Sequence, residues 1–434
     1  EAGGVGVAQQ DWDVFFTSPA LQQLIDTALR NNQEMSIQLQ ELIITQNEIA
    51  ARRGEYLPKL GVGLDTGVEK VGGFTSQGVA DRVNGVPEHL GNFGFGLTAS
   101  WEVDMWGKLR DAVRSSEARA MATAEARNFL VTQLVGEIAR SYYELIALDN
   151  ELEVLNRNVE LQQDALEVVK LEKQAARVTQ LAVQRFEAEV LKNRSRLFDL
   201  QQERVQAENR INFLVGRFPQ PVARDASELS APLPPMLEAG LPSDLLRNRP
   251  DLRRAELELV ASQMDVRVAR ARFFPTLSID VSLGYNSFNL QHLVSTPESI
   301  FYKLAGGLMA PLLNRAGIEA DYRSANARQI QAVYNYERTL LQAFTDVANQ
   351  VVKYENLQQS FALQRKQVET LSDSVEVSNT LFQSARADYM EVLLTRRDSL
   401  DAELELIETR KRLLQAMVNI YQSLGGGWRK PQPA

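Results

Sequence analysis

The chain has 434 residues, of which 44% are hydrophobic and 24% charged, a balance typical of a folded protein rather than a disordered one. It has no run of 18 apolar residues, which excludes a membrane-spanning helix, and no cysteine, which excludes disulfides and thiolate sites. The formal net charge of −9 argues against nucleic acid as a partner. The chain begins at Glu1 without an apolar leader, so we expect a mature form from which any export signal has been removed.

The sequence repeats itself once along its length. Corresponding positions are Pro58 and Pro275, Gly107 and Gly317, and Gly216 and Gly425, at shifts of 217, 210 and 209 residues. A repeat of this length dictates the architecture, because each copy builds the same structural unit. We therefore divide the chain into repeat one, 1–216, and repeat two, 217–434.

Repeat one opens with an N-terminal equatorial segment, followed by two stretches of strict alternation at 57–75 and 91–104. In the second stretch Phe93, Phe95 and Leu97 alternate with glycine and threonine. Period two over about ten residues, with one apolar face and one small or polar face, is typical of a membrane β-barrel strand, although it also suits a half-buried soluble sheet. The small residues opposite large apolar ones favour the barrel.

A helical hairpin is predicted over 108–215. No proline lies between Pro87 and Pro219, so helix breakers are kept out of the segment. An apolar seam steps by three and four residues, the period of helices that pack in a coiled-coil manner, and Gln162 interrupts it. The seam begins with Leu145, Leu148, Leu152, Leu155 and Val159. The turn of this hairpin, its tip, is predicted near 176–180.

Repeat two follows the same order. A proline-rich strap over 217–242 is extended and returns the chain to the start of the second copy. Strands are predicted at 275–287 and 300–312, a second hairpin at 318–424 with its tip near 385–390, and then a C-terminal equatorial tail. The fold class is mainly α with a membrane β-barrel, and each copy contributes two strands and a long helical hairpin.

The strand count predicts an oligomer. Four strands cannot close a barrel, since barrels need at least about eight strands and an open edge in lipid leaves backbone groups unsatisfied. Several chains must share one barrel, and three chains would give twelve strands.

Motifs spread over the whole chain resemble the TolC-like outer-membrane efflux channels, in particular their lipoprotein branch, which serves resistance-nodulation-division pumps. The resemblance rests on Trp12, Phe15 and Ser18-Pro19 near the N-terminus, on 240–246 followed by 249–253, on 101–104 with 106–110, and on 425–428. The chain departs from that branch in having no N-terminal cysteine to carry a lipid. It also has Ala385 and Asp388 where the family commonly has Gly and Ser.

The resemblance implies a homotrimer in the bacterial outer membrane, with a twelve-stranded barrel in lipid and an α-helical barrel in the periplasm. It also implies a passive conduit without enzymatic activity or cofactor, whose partners are a periplasmic adaptor and an inner-membrane pump. The exported compounds would be drugs or other small toxic molecules. Two alternatives stay open: the exit duct of a type I protein secretion system, and a soluble periplasmic coiled-coil adaptor.

Function is expected where the hairpins turn, because side chains repeated by symmetry around a narrow pore set its charge. The gate and pore candidates are Asp388, Arg386, Asp373 and Glu376. The adaptor-docking candidates are Arg177, Val178, Thr179, Gln180, Tyr389 and Met390. No metal site is predicted, since the histidines, His89 and His292, are expected to lie in solvated loops between strands.

Overall fold

The structure of the chain, a computed structural model, describes residues 10–231, 248–312, 315–384 and 386–429. These residues form two compact units. Unit 1 contains the described parts of Glu1–Gln40, Ala124–Arg254 and Glu337–Ala434, and unit 2 contains Glu41–Thr123 and the described parts of Ala255–Tyr336. Each unit therefore takes segments from both sequence repeats.

Long helices make up most of the described chain. The described α-helices, short ones included, are in chain order α1 (Trp12–Phe15), α2 (Pro19–Asn31), α3 (Gln33–Tyr56), α4 (Ser76–Val83), α5 (Lys108–Gln174), α6 (Gln180–Val215), α7 (Pro250–Ala271), α8 (Ala316–Gln383) and α9 (Tyr389–Ser423). Helices α5 and α6 form the first hairpin, and α8 and α9 the second. Among the described residues, no helix is both long and apolar enough to cross a membrane.

Unit 2 holds one antiparallel sheet in the order β1 (Lys59–Glu69), β2 (Leu90–Val103), β3 (Thr276–Ser287) and β4 (Ile300–Met309). The register aligns the alternating residues into rows across all four strands. One such row is Val62, Leu97, Leu283 and Tyr302, and its neighbour is Gly61, Thr98, Ser282 and Lys303. The sheet thus has an apolar face and a face of small or polar residues, as a period of two dictates.

The predicted C-terminal end of the first strand is wrong. Alternation predicts a strand over 57–75, but β1 ends at Glu69. Beyond it the chain forms helix α4, whose N-cap Thr75 accepts a hydrogen bond from the Gly78 N–H at 3.1 Å. The fourth strand is also shorter than 300–312, since β4 ends at Met309.

Unit 1 is organised around a continuous apolar core. Its fully buried members include Ile25 of α2, Ile138 and Tyr142 of α5, Ile211 of α6, and Leu413 of α9. The seam predicted in α5 lies in this core, because Leu145, Leu148, Leu152, Leu155 and Val159 are all buried. Burial of this apolar surface is the main term that stabilises the unit.

Two arginines fasten the described part of the predicted strap to the helices of unit 1. Arg224 forms ion pairs with Asp149 and Glu208, and Arg410 donates to the carbonyls of Leu229, at 2.8 Å, and Ala231. Residues 232–242 of the strap, the family-like motif at 240–246 and the tip residue Ala385 lie outside the described residues.

A glycine closes the returning helix of each hairpin in the same way. Gly216 and Gly425 have φ of 75° and 86°, and a Cβ on either would come within 2.4 Å of the carbonyl oxygen of Asn31 or Asn248, respectively. Only glycine suits a position that combines a left-handed backbone with so close an approach. The two asparagines correspond at the repeat shift of 217 residues, so each repeat carries the same closure.

Candidate functional site at the hairpin tips

The two hairpin tips have the same backbone closure. The Arg177 N–H donates to the Glu172 carbonyl at 2.9 Å, and the Arg386 N–H donates to the Leu381 carbonyl at 2.9 Å. In both bonds the acceptor lies five residues before the donor, which is the spacing found in the Schellman motif at a helix C-terminus. The two closures correspond at a shift of 209 residues, the shift that relates Gly216 to Gly425. At the first tip the turn places Ala176 in the left-handed region, with φ of 57°.

Each tip ends at a helix N-cap of different chemistry. Thr179 caps α6 and Asp388 caps α9, both with extended backbone and neither with a side-chain cap hydrogen bond. Both side chains are exposed. The negative charge at this position therefore belongs to the second tip alone, where it lies favourably at the positive end of the helix dipole.

The first tip has a small apolar core of its own. Leu166, Val169, Ala182, Val183, Phe186 and Val190 are buried in it. Val178 and Tyr389 pack against this core and are half-buried. Tyr389 thus connects the start of α9 to the first hairpin, so part of its surface is already occupied within the chain.

Met390 also contacts the first hairpin, since its sulfur accepts from Arg185 Nη1 at 3.2 Å. The other docking candidates, Arg177, Thr179 and Gln180, are exposed. The predicted docking residues therefore divide into an exposed set on the first tip and a half-buried set that holds the two tips together.

The gate candidates are exposed but are not brought together. Arg386 and Asp388 lie at the second tip, whereas Asp373 and Glu376 lie ten and seven residues before Gln383, the last residue of α8. At the helical rise this separation is about 15 and 10 Å along the helix. Within the described parts of the chain no ion pair joins any two of the four.

Sequence reasoning missed Arg396, which links helices of both hairpins near the tips. Its Nη2 donates to Asn379 Oδ1 at 2.9 Å and its Nη1 to the Leu161 carbonyl at 3.4 Å. Burial lowers the pKa of Arg396, and its Nε has no hydrogen-bond partner among the described residues. This half-buried guanidinium has no carboxylate partner in the described part of the chain, so its partial desolvation carries a cost. No periodicity in the sequence distinguishes Arg396 from the exposed arginines around it.

Gln162 interrupts the apolar seam of α5, and Gln364 interrupts a similar seam of α8 that includes Leu357, Phe361 and Val368. Each of the two glutamines has a partner on the returning helix. Gln162 and Asn193 form a buried hydrogen bond of 2.9 Å between α5 and α6. Gln364 donates to Glu405 at 3.0 Å between α8 and α9. A polar residue within an apolar seam was a signal that could have located the contact between Gln162 and Asn193, because a buried amide requires a partner.

Metal-binding clusters of histidine, aspartate and glutamate are absent from the residues that the structure describes. His89 directly precedes β2, and His292 lies in a short 3-10 turn between β3 and β4. Both are therefore in connections between strands.

Comparison with known proteins identifies the family. The profile of the outer membrane efflux protein family matches residues 24–217 and 241–426, which together cover most of the chain. The chain belongs to this family. The two matched segments fall in repeat one and repeat two, so the family's domain occurs once in each.

Relatives of known name match the chain over nearly its whole length. The pyoverdine export outer membrane protein OpmQ of Pseudomonas aeruginosa is 28% identical over 97% of this chain and 88% of its own. The cation efflux system protein CusC of Escherichia coli is 27% identical over 96% and 88%. A crystal structure of a membrane protein from Pseudomonas aeruginosa superimposes with a TM-score of 0.90 at 23% identity, covering 98% of this chain and 96% of that one.

Membership of the outer membrane efflux protein family makes this chain an outer-membrane efflux channel protein. The fold is the one expected, mainly α with a four-stranded sheet and an internal duplication. Proteins of this family are channels rather than enzymes.

Proposed function

We propose that three copies of this chain form one channel through the outer membrane. The observation that carries the proposal is the sheet, which among the residues that the structure describes has four strands, with a neighbour on one side only for β1 and for β4. In lipid, each unpaired backbone N–H or C=O group at such an edge would cost several kcal/mol. This is roughly the cost of burying any polar group without a hydrogen-bond partner. Edge-to-edge pairing of three sheets gives a closed barrel of twelve strands.

The exposure of the sheet supports a lipid-facing surface. Val62, Leu64 and Tyr302, on the apolar face, are exposed over 83%, 79% and 83% of their surface. Such a large exposed apolar surface calls for another apolar phase to cover it. The opposite face carries glycine, serine, aspartate and lysine, which suit a water-filled interior.

The helical hairpins would extend this conduit into the periplasm, where an adaptor and an inner-membrane pump would dock. Export of pyoverdine and of cations by the two named relatives supports small compounds as the cargo. Specificity would lie in the pump, because a passive conduit needs no tight substrate site.

Detergent-solubilised mass and bilayer conductance test the channel proposal. The chain has a mass of 48.7 kDa, so a trimer has three times that, about 146 kDa of protein. We expect this mass and discrete single-channel conductance in planar bilayers. A monomer that is extracted without detergent and gives no conductance would identify a soluble adaptor instead.

The tips would carry both the gate and the docking surface. Six hairpins would form a ring at the inner end, with Asp388 of each chain at the constriction and Asp373 and Glu376 farther along the pore. The exposed residues Arg177, Thr179 and Gln180 would contact the adaptor first. Tyr389 and Met390 would respond to docking through the first hairpin, against which they pack.

Substitution of Asp388 by alanine tests the gate. We expect Asp388→Ala to reduce cation selectivity, measured as a shift of the reversal potential in a KCl gradient. Thr179→Ala is the matched control, since Thr179 occupies the equivalent N-cap and carries no charge. Equal reversal potentials for wild type and both variants would remove Asp388 from the gate.

Docking is tested by cross-linking. The chain contains no cysteine, so single cysteines at Thr179 and Gln180 can be introduced without background. Cross-links to an adaptor are expected at these positions. Cross-links found only at positions distant from both tips would contradict the docking assignment.

A further inference from the structure

The parts of four helices that belong to unit 2 meet at one end of the sheet. Because the strands are antiparallel, the start of β1, the end of β2, the start of β3 and the end of β4 lie at the same end. Helix α3 leads into β1, α5 follows β2, α7 leads into β3 and α8 follows β4. Side chains from all four helices can therefore gather beneath the sheet.

A cavity of about 370 Å³ opens between these four helices. Its charged lining consists of Arg52, Arg119, Asp265, Arg272, Asp321 and Arg328. Four arginines against two aspartates give a lining charge of 4 − 2 = +2, in a chain whose net charge is −9. The excess of positive charge is thus confined to the cavity, whereas the chain as a whole is negatively charged.

A second cavity of about 440 Å³ adjoins the first and shares Arg52 and Arg272 with it. It reaches the sheet at Lys59, Ser100 and Ser278. Lys59 pairs with Ser100 in the register, and both belong to the polar face. The second cavity therefore lies on the polar side of the sheet, opposite the apolar face that carries Val62 and Leu304, and the first cavity adjoins it.

Ion pairs within the cavities neutralise the carboxylates but not all of the cations. Arg119 pairs with Asp265, Arg272 with Asp321 at 2.6 Å, Arg52 with Glu55 at 3.1 Å, and Lys108 with Glu102. Arg328 and Lys59 have no carboxylate partner among the described residues. Two positive charges in each chain are consequently available to a ligand.

We propose that these side chains form an anion-binding collar, defined by Arg52, Lys59, Arg119, Arg272 and Arg328, that receives organic anions bearing carboxylate groups during export. The guanidinium fork of arginine matches a carboxylate in two hydrogen bonds, and a ring of basic side chains favours anions in a pore. Ser116 and Ser324, which also line the first cavity, supply hydroxyl donors. The proposal rests on the proposed channel, whose interior is the polar side of the sheet.

Binding at the collar must be weak. Arg52, Arg119 and Arg272 are each exposed over about half of their side chains, at 51%, 50% and 51%. Exposed charge pairs contribute little individually and are screened by salt. A weak site of this kind concentrates an anion in the conduit and still releases it, as conduction requires.

Citrate, a small tricarboxylate, is the probe for the test. Equilibrium dialysis of the full-length protein in neutral detergent at low salt measures citrate binding without any need for conduction. We expect Arg328→Glu to weaken binding about tenfold and Arg328→Gln about threefold, because reversal adds repulsion to the lost attraction. Arg323→Glu is the matched control, since Arg323 lies on the same helix, is exposed, and lies outside both cavities.

The outcomes separate the collar from the channel. Equal citrate binding by wild type, Arg328→Glu and Arg323→Glu, or no binding by wild type, would overturn the collar. Competition by phosphatidylglycerol added to the micelles would also overturn it, because the ligand would then be a lipid headgroup. Citrate binding that falls only in the Arg328 variants, by a protein that is monomeric and gives no conductance, would support the collar and overturn the channel.

Discussion

Unit 1 and unit 2 place their large apolar side chains in opposite environments. Unit 1 buries Ile138, Tyr142 and Leu413 completely in a core made by a single chain. In unit 2 the buried apolar residues are mostly alanines, such as Ala118 and Ala269. Large apolar residues of its sheet, such as Val62, Leu64 and Tyr302, are exposed instead.

This difference shows where each unit obtains its stability. Burial of apolar surface contributes about 25 cal/mol per Å², so unit 1 gains that free energy within its own chain. The sheet of unit 2 gains it only when lipid or another copy of the chain covers the apolar face. Three substitutions, each with a matched control, test this difference between the units.

The largest effect is expected in the core of unit 1. Leu413→Ala should lower the free energy of unfolding by about 2–5 kcal/mol, because it leaves a cavity at a fully buried position. Guanidinium unfolding followed by helical circular dichroism in detergent measures it. Leu191→Ala, at an exposed leucine of α6, should cost less than about 0.5 kcal/mol. Similar losses for both variants would show that unit 1 does not depend on this core.

A charge on the apolar face of the sheet should come next. Val62→Arg should destabilise the protein in lipid vesicles by about 2–4 kcal/mol, the cost of arginine at the lipid face of a barrel. Gly63→Arg is the control, because Gly63 is the next residue of β1, belongs to the polar face and has open space around its Cβ position. Urea unfolding in vesicles measures both variants. A greater loss for Gly63→Arg would reverse the assignment of the two faces.

The smallest expected effect is a pH dependence in unit 1. Burial raises the pKa of Glu151 from 4.5 to about 7, although Lys411 and Arg196 oppose the shift. The folded state therefore binds the proton more tightly than the unfolded state. Stability supplied by this group is present below pH 4.5 and is lost as the pH rises through 7.

Glu151→Gln should remove that loss, which we expect to be about 1 kcal/mol because the carboxyl is only partly buried and is screened by solvent. Guanidinium unfolding at pH 5 and pH 8 measures it, with the exposed Glu153→Gln as control. If the free energy of unfolding still differs between pH 5 and pH 8 by the same amount in Glu151→Gln, another group is responsible for the pH dependence. The nearby acids are Glu408 and Glu203.

The regular elements of this fold could be predicted because their signals are local. Alternation of Phe93, Phe95 and Leu97 with small residues identifies β2, and the absence of proline after Pro87 identifies the first hairpin. The end of β1 could not be found in this way, since the capping interaction of Thr75 competes with the strand pattern only once helix α4 forms.

The site was harder to predict because its contacts join residues distant in sequence. Exposure of Asp388 and Arg177 follows from their place in a turn between two helices. The packing of Tyr389 against the first hairpin and the partial burial of Arg396 depend on how the two hairpins lie together. Neither residue type nor spacing encodes that arrangement within a single segment.

The closure of each hairpin by glycine has a consequence for the history of the chain. After a duplication, each position exists twice, and one copy is free to change. Both copies have glycine at the joint, Gly216 and Gly425. The residues that hold the end of each returning helix differ: the Asn32 amide donates to the Leu214 carbonyl at 2.8 Å, and the Arg249 guanidinium donates to the Ser423 carbonyl at 3.0 Å. At the tips Thr179 and Asp388 have diverged outright. The backbone joint is thus the same in both halves of the chain, whereas the side chains around it differ.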